Sequence, residues 1–253
     1  MLFRSNLDRK VTVVGAVVSG LLSGLIVQAI RTLWDMSLFL MFVLQGISIL
    51  CIAGCFLLWR FFRDPEREAP PVKGAIVSPA DGTILYIKRA KNGQIPLSEK
   101  NGKQYSLAEF INTDMLHRYG VLVGIGMSFL DVHVNRAPIR GKVIALKHIN
   151  GIFLSLRKME AVIRNERQLI VIDDGVLKVG IVQIASRLVR SIVSFVSEGK
   201  EVFKGQKIGM IRFGSQVDLY LPETVPLQLN VAEGDKVKAG ISVLATYGEI
   251  PDP

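Results

Sequence analysis

The Gly214–Ser215 step, within Arg212-Phe213-Gly214-Ser215, is where this chain can do unusual chemistry on itself. If the Ser215 hydroxyl attacks the Gly214 carbonyl, the backbone breaks and a ketone-bearing group is left on a new N-terminus. Glycine suits the first position, because without a Cβ it can adopt a strained conformation and leave its carbonyl open to attack. A Gly-Ser pair is also an ordinary turn, so the reading depends on what could activate the serine. The histidines are His117, His133 and His148. His133 stands apart because Asp131, Asn135 and Arg136 crowd around it at the end of a β-type run. Asp81, in Ser78-Pro79-Ala80-Asp81-Gly82, reads either as an Asp-Gly hairpin turn or as an acid that orients a histidine. No His-x-His pair or His-Glu-x-x-His pattern occurs, which argues against a zinc hydrolase. Cys51 and Cys55 lie one helical turn apart in an apolar run, where packing is their role. The rest of the chain has no thiol nucleophile, disulfide framework or cysteine zinc site.

The elements that must position these groups begin with two apolar runs, residues 11–30 and 36–59. A helix crosses about 30 Å of hydrocarbon with about 20 residues, and both runs reach that length. The first is too long for a signal-peptide core, and a second follows at once, so a transmembrane hairpin over residues 1–62 is expected. Arg4, Arg9 and Lys10 precede it and Arg60 and Arg63 follow it, placing both ends in the cytoplasm. Gly15, Ser19, Gly20, Ser23 and Gly24 either let the two helices approach closely or simply fill an apolar helix. The net charge of +9 comes with no recognisable nucleic-acid-binding motif. Attraction to an anionic bilayer, at about 1 kcal/mol per surface-adjacent Lys or Arg, is the simpler account.

Residues 63–74, with Pro65, Pro70 and Pro71, read as a stiff linker. From residue 75 to 253 short β-type runs alternate with glycine turns, so a mainly β (α+β) domain is expected. Glu198-Gly199-Lys200-Glu201-Val202 parallels Glu233-Gly234-Asp235-Lys236-Val237, and in each copy a further glycine follows, Gly205 or Gly240. Such repeats occur as paired hairpins in lipoyl-like barrel-sandwich folds. A lipoyl or biotinyl carrier would present a lysine beside methionine on a hairpin tip, and no such arrangement is found.

Five segments in fixed order carry a resemblance: 61–67 (FFRDPER), 78–82 (SPADG), 131–138 (DVHVNRAP), 165–167 (NER) and 212–218 (RFGSQVD). Together they resemble the short bacterial and archaeal form of phosphatidylserine decarboxylase, from about Arg60 to the end of the chain. The resemblance implies a proenzyme cleaved between Gly214 and Ser215. In it His133, supported by Asp81, activates Ser215, and Ser215 becomes a covalent pyruvoyl group. That group takes the substrate amine as a Schiff base and serves as the electron sink for loss of CO2, with no PLP and no metal. His133 would then return a proton to the substrate carbon. Longer family members carry a second histidine three residues further on, where this chain has Arg136. The division of roles therefore stays open, and one histidine would serve both.

Arg136 itself reads either as a ligand for the substrate phosphate or carboxylate or as half of a structural ion pair. The implied function is conversion of phosphatidylserine to phosphatidylethanolamine in phospholipid synthesis, at the cytoplasmic face of the cell membrane. The implied partners are the lipid, the bilayer and the chain's own two pieces, 1–214 and 215–253, with a homodimer left open and no nucleic acid. A pyruvoyl decarboxylase of soluble amino acids would need no bilayer anchor. A membrane-fusion adaptor would need a long heptad hairpin, which is absent.

Overall fold

A computed structural model describes residues 2–33, 37–96, 105–106, 110, 116–156, 160–186, 192–211 and 216–248. The chain divides into two compact units, Met1–Arg63 and Asp64–Pro253. In the first, helix α1 (Leu2–Leu33) is followed by α2 (Leu38–Phe62). Ser37 caps α2, its hydroxyl accepting from the Leu40 N–H at 3.4 Å. The helix ends at Arg63, just before an Asp64-Pro65 step that disfavours helical backbone.

The two helices touch. The Ser23 hydroxyl and the Gln45 amide lie 2.5 Å apart, and a Cβ added to Gly15 would come within 2.8 Å of the Phe56 ring. Ser19 and Ser23 are buried, whereas nothing lies within 4 Å of a Cβ built on Gly20. Close approach is thus made by the stripe Gly15, Ser19, Ser23, not by the glycine at position 20. One described helix, Leu38–Phe62, is long and apolar enough to cross a membrane. Within α1 the apolar stretch is shorter, Val17–Thr32.

The second unit is mainly β. Its strands begin with β1 (Ala75–Val77), β2 (Gly82–Ala90), β3 (Gln94–Ile95), β4 (Tyr105–Ser106), β5 (Gly120–Gly126) and β6 (Val134–Arg136). They continue with β7 (Gly141–Ile149), the short helix α3 (Glu160–Arg164), β8 (Arg167–Asp173), β9 (Lys178–Ile184), β10 (Ile192–Ser194) and β11 (Glu201–Val202). The last are β12 (Lys207–Ile211), β13 (Gln216–Pro222), β14 (Leu227–Leu229), β15 (Lys236–Val237) and β16 (Val243–Tyr247). An eight-stranded sheet runs β11-β7-β8-β9-β13-β5-β2-β15, flanked by three-stranded sheets β10-β12-β6 and β1-β16-β14.

Both faces of the large sheet are buried, which is why apolar residues dominate both faces of its central strands. Ile84, Val123, Ile170, Ile181, Val217 and Leu219 belong to one core, together with Ile208, Ile211 and Leu244 from the small sheets. Tyr86, Leu122, Leu169, Val182 and Tyr220 belong to the other, with Phe110 and with Val162 of α3.

The repeat takes a form that differs from the expected hairpins. Its copies supply the two edge strands, β11 pairing with β7 and β15 with β2, at opposite ends of the sheet. Their contacts match. The Gly199 N–H donates to Val143 O and the Gly234 N–H to Ile84 O, both at 2.8 Å. Glu198 accepts from the Leu146 N–H and Glu233 from the Ile87 N–H, at 2.8 and 2.9 Å. Bulges also correspond, at Val143/Ala145 in β7 and Ile84/Tyr86 in β2.

Candidate active site

Residues 212–215 lie outside the described residues, so the Gly214–Ser215 step is located by its ends. Ile211 closes β12 and Gln216 opens β13. β12 pairs with β6, with Gly209 opposite Asn135 and Met210 opposite Val134, and the Ile211 N–H donates to His133 O at 3.3 Å. β13 is held between β5 and β9, Gln216 lying opposite Gly126 and Ile184. The Gly214–Ser215 connection therefore joins the small sheet, whose strand β6 begins directly after His133, to the centre of the large one.

His133 is fully buried. The Asp131 carboxylate closes the turn before it, accepting from the Ser128 N–H at 2.8 Å and the Ser128 hydroxyl at 2.7 Å. That turn sets the Asp131 carbonyl 2.8 Å from His133 Nδ1. A carbonyl only accepts, so Nδ1 carries the proton of the neutral ring and Nε2 is the basic nitrogen. Two residues on, the Asn135 Oδ1 accepts from Gln183 Nε2 at 2.7 Å, and Gln183 Oε1 accepts from Gln168 Nε2 at 3.0 Å. This relay fixes the Asn135 amide with its nitrogen turned away from Gln183. Among the described residues Asn135 Nδ2 has no acceptor, although the side chain is fully buried. A buried donor left without an acceptor costs about 1–3 kcal/mol.

The structure gives Asp81 a different partner from the histidine. Arg67 Nη1 and Nη2 meet its two oxygens at 2.5 and 2.9 Å, and the Ala239 N–H donates to Oδ1 at 2.8 Å. Asp81 and His133 are not joined by any of these bonds. The cause is the linker, whose residues pack onto the β unit instead of spanning free space: a Cβ on Gly205 would meet Ala69 at 3.0 Å. Arg136 is also engaged by the chain itself. Its guanidinium donates to Asp64 Oδ1 at 3.1 Å, Pro65 O at 3.0 Å and Gly205 O at 3.0 Å, while Lys207 Nζ lies 2.5 Å from Asp64 Oδ2. Of the two readings of Arg136, the structural ion pair is the one drawn.

Asn165 and Arg167 also prove architectural. The Asn165 amide bonds the Leu154 backbone and Ala185 O, and Arg167 donates to the carbonyls of Phe110, Ile163 and Asn165. Glu166 lies 3.3 Å from Nε2 of the half-exposed His148.

A second polar cluster went unnoticed in the sequence. Tyr86, Gly124 and Asp218 stand in one row across β2, β5 and β13. The β2 bulge turns Tyr86 to the opposite face from Ile84. Its ring crosses Gly124, where a Cβ would come within 2.4 Å of it. The Tyr86 hydroxyl donates to Asp218 Oδ2 at 2.5 Å, and Gln216 Nε2 lies 2.7 Å from both Tyr86 Oη and Asp218 Oδ1. Burial pushes the Asp218 carboxyl up to about 7, against the smaller lowering effect of these two hydrogen bonds. The Tyr86 phenol is raised well above its usual value, by burial first and then by the Asp218 charge. Gln216 directly follows Ser215, so this cluster anchors the strand that begins at the end of the Gly214–Ser215 connection.

A cavity of about 910 Å³ lies elsewhere, lined by Lys73, Arg140, Lys142, Asp174, Phe203 and Tyr247 among others and by none of the candidate residues above.

A family model for phosphatidylserine decarboxylase matches residues 56–245. The chain belongs to the phosphatidylserine decarboxylase family. A protein of Methanothermobacter thermautotrophicus, provisionally named an archaetidylserine decarboxylase proenzyme, is 40% identical over 82% of this chain and 88% of its own length. A phosphatidylserine decarboxylase proenzyme of Erythrobacter litoralis is 42% identical over 75% of this chain and 72% of its own. Membership of the phosphatidylserine decarboxylase family makes this chain a carboxy-lyase of phospholipid metabolism, and the relatives' names describe precursors.

Proposed function

We propose that this chain is a self-processing, membrane-anchored decarboxylase that converts phosphatidylserine to phosphatidylethanolamine and CO2. The observation that carries the reading is the position of His133. Its backbone carbonyl is bonded to Ile211 at the mouth of the Gly214–Ser215 connection, and its ring is held in the tautomer with basic Nε2. A base of that kind is what a serine needs before it can attack the preceding carbonyl.

A pyruvoyl group formed from Ser215 would supply an electron sink for the charge left on the substrate carbon as CO2 departs. The setting fits a neutral carbonyl: the buried Asn135 amide offers a donor that has no acceptor among the described residues. In the processed enzyme Gln216 holds the new chain end through Asp218 and Tyr86, and His133 carries the proton that returns to the product. Asp81 supports this arrangement indirectly, by fastening Arg67 and the 239 turn, so its role is positioning.

The helical unit is read as a membrane hairpin, with the apolar α2 as its principal span and the β unit on the cytoplasmic side. Similar identity to archaeal and bacterial relatives commits the reading to the shared phosphoserine headgroup.

The test is a denaturing gel with intact masses of the purified protein. Two chains are expected, the smaller starting at a blocked, borohydride-reducible residue in place of Ser215. Ser215→Ala and His133→Ala are each expected to remain single chains. Uncleaved wild type that is folded would sink the proposal, and cleaved His133→Ala would remove the histidine from it. CO2 release from ester- and ether-linked phosphoserine lipids decides between the two lipid backbones.

A further inference from the structure

We infer that Asn135 is the oxyanion donor of self-cleavage, its Nδ2 amide stabilising the charge that develops on the Gly214 carbonyl oxygen as Ser215 attacks. The inference rests on the self-processing reading above. Its starting point is the amide itself, fully buried, aimed by the Gln183–Gln168 relay, and without an acceptor among the described residues.

Topology places that amide between the two ends of the cleavage connection. Asn135 lies opposite Gly209, two residues before Ile211, and a Cβ on Gly209 would touch the Gln183 amide at 2.9 Å. Gln183 in turn lies opposite Val217, two residues after Ser215. Residues 212–215 thus connect the very strands that the Asn135–Gln183 hydrogen bond joins.

The chemistry needs a donor there. The Ser215 Oγ–C(Gly214) bond forms while the hydroxyl proton passes to His133 Nε2, leaving negative charge on the Gly214 oxygen. The C–N bond then breaks, and the imidazolium returns its proton to the departing Ser215 nitrogen, giving an ester. Charge appears on the carbonyl oxygen only between these events, which is where a fixed donor accelerates and where its loss slows the reaction by roughly 10²–10³-fold. A carboxylate could not serve, and a mobile amide would have to be oriented at each event.

Gln183→Glu provides the discriminating variant. Glutamate keeps the shape and still accepts from Gln168, but it can only accept from Asn135, which must turn its nitrogen inward and lose the donor. The full-length protein is made by cell-free synthesis into nanodiscs and the conversion to two chains is timed on denaturing gels. Asn135→Ala and Gln183→Glu are both expected to slow conversion by about 100-fold. Their unconverted chains are expected to resist hydroxylamine, because the slowed step is the one that forms the ester, which therefore does not accumulate. Melting of each variant in a Ser215→Ala background, within about 2 °C of Ser215→Ala alone, separates this loss from misfolding. Conversion of Asn135→Ala within threefold of wild type overturns the inference, as does a variant that accumulates hydroxylamine-cleavable ester. A purely architectural Asn135–Gln183 bond would leave Gln183→Glu at the wild-type rate, which also overturns it. Failure of the underlying reading looks different, since wild type itself would then not divide.

Discussion

Replacing Asp218 with asparagine is expected to remove a pH dependence of stability that the wild-type β unit carries. The carboxyl is fully buried, faced by the Tyr86 hydroxyl from β2 and the Gln216 amide from its own strand, and no cation is among its described contacts. Burial therefore raises it from 3.8 to about 7. The folded protein keeps a proton that the unfolded chain gives up near pH 4. Below that pH both states hold it and the stabilising contribution is complete. Between about 4 and 7 the unfolded state binds fewer protons, so stability falls as pH rises, and above about 7 the loss levels off. About three units at 1.36 kcal/mol each gives on the order of 4 kcal/mol. Asparagine has the same shape and no proton to lose, and the Gln216 amide can turn to meet it.

For a unit of this size each kcal/mol moves the melting temperature by about 2–4 °C. The melting temperature of Asp218→Asn minus that of the parent should therefore rise by on the order of 10 °C between pH 4.5 and 8. Full-length chains in a Ser215→Ala background, held in detergent micelles and followed by near-ultraviolet circular dichroism, give the comparison without interference from cleavage. Parallel curves, with a difference constant to within about 2 °C, would show that Asp218 is ionised in the folded protein and would refute the argument.

Two further outcomes follow from contacts at other points. Arg67→Ala leaves a carboxylate, only 6% exposed, with the Ala239 N–H as its one remaining described partner, so a loss of about 3–5 kcal/mol is expected in the same melts. Gly124→Ala puts a methyl 2.4 Å from the Tyr86 ring and must expel it, with an expected loss of about 1–3 kcal/mol. The Tyr86 phenol should then titrate nearer its ordinary value by ultraviolet absorbance.

The features read from the sequence were those written in local composition. The charge-free run before Arg60, the glycine-punctuated β pattern and the Glu-Gly repeat all have counterparts in the structure. Partner choice was not legible. Asp81 was paired with a histidine by analogy of residue types, whereas the chain delivers Arg67 to it, and nothing in the spacing of positions 67, 81 and 133 announces which cation meets the acid. The Tyr86–Asp218 pair depends on a bulge and on the register of three strands, neither of which alternation alone predicts. Asn135 was visible beside His133, but its unusual state depends on Gln183, 48 residues away. A donor becomes notable only when its partner's other contacts are known.

The repeat itself bears on what Asp81 is for. In one copy the Gly240 N–H donates to Ser78 O, and in the other the Gly205 N–H donates to Ala137 O, both at 2.8 Å. Ser78-Pro79-Ala80-Asp81-Gly82 then superposes in sequence on Ala137-Pro138-Ile139-Arg140-Gly141, which puts Arg140 in the place of Asp81. The second copy makes the same backbone turn with an arginine, and that arginine lies 5.6 Å from the centre of the Phe203 ring. A carboxylate is therefore not a requirement of the turn, and an Asp-Gly hairpin preference cannot account for Asp81. What the first copy has and the second lacks is the Arg67 fork delivered from the linker, so the acid at 81 answers to that cation. The linker is in this way part of the β unit: it places Asp64 on Arg136 of β6 and Lys207 of β12, and Arg67 on Asp81 in the turn before β2. Shortening it should disturb self-cleavage even though none of its residues touches the serine's described neighbours, Ile211 and Gln216, through a described hydrogen bond.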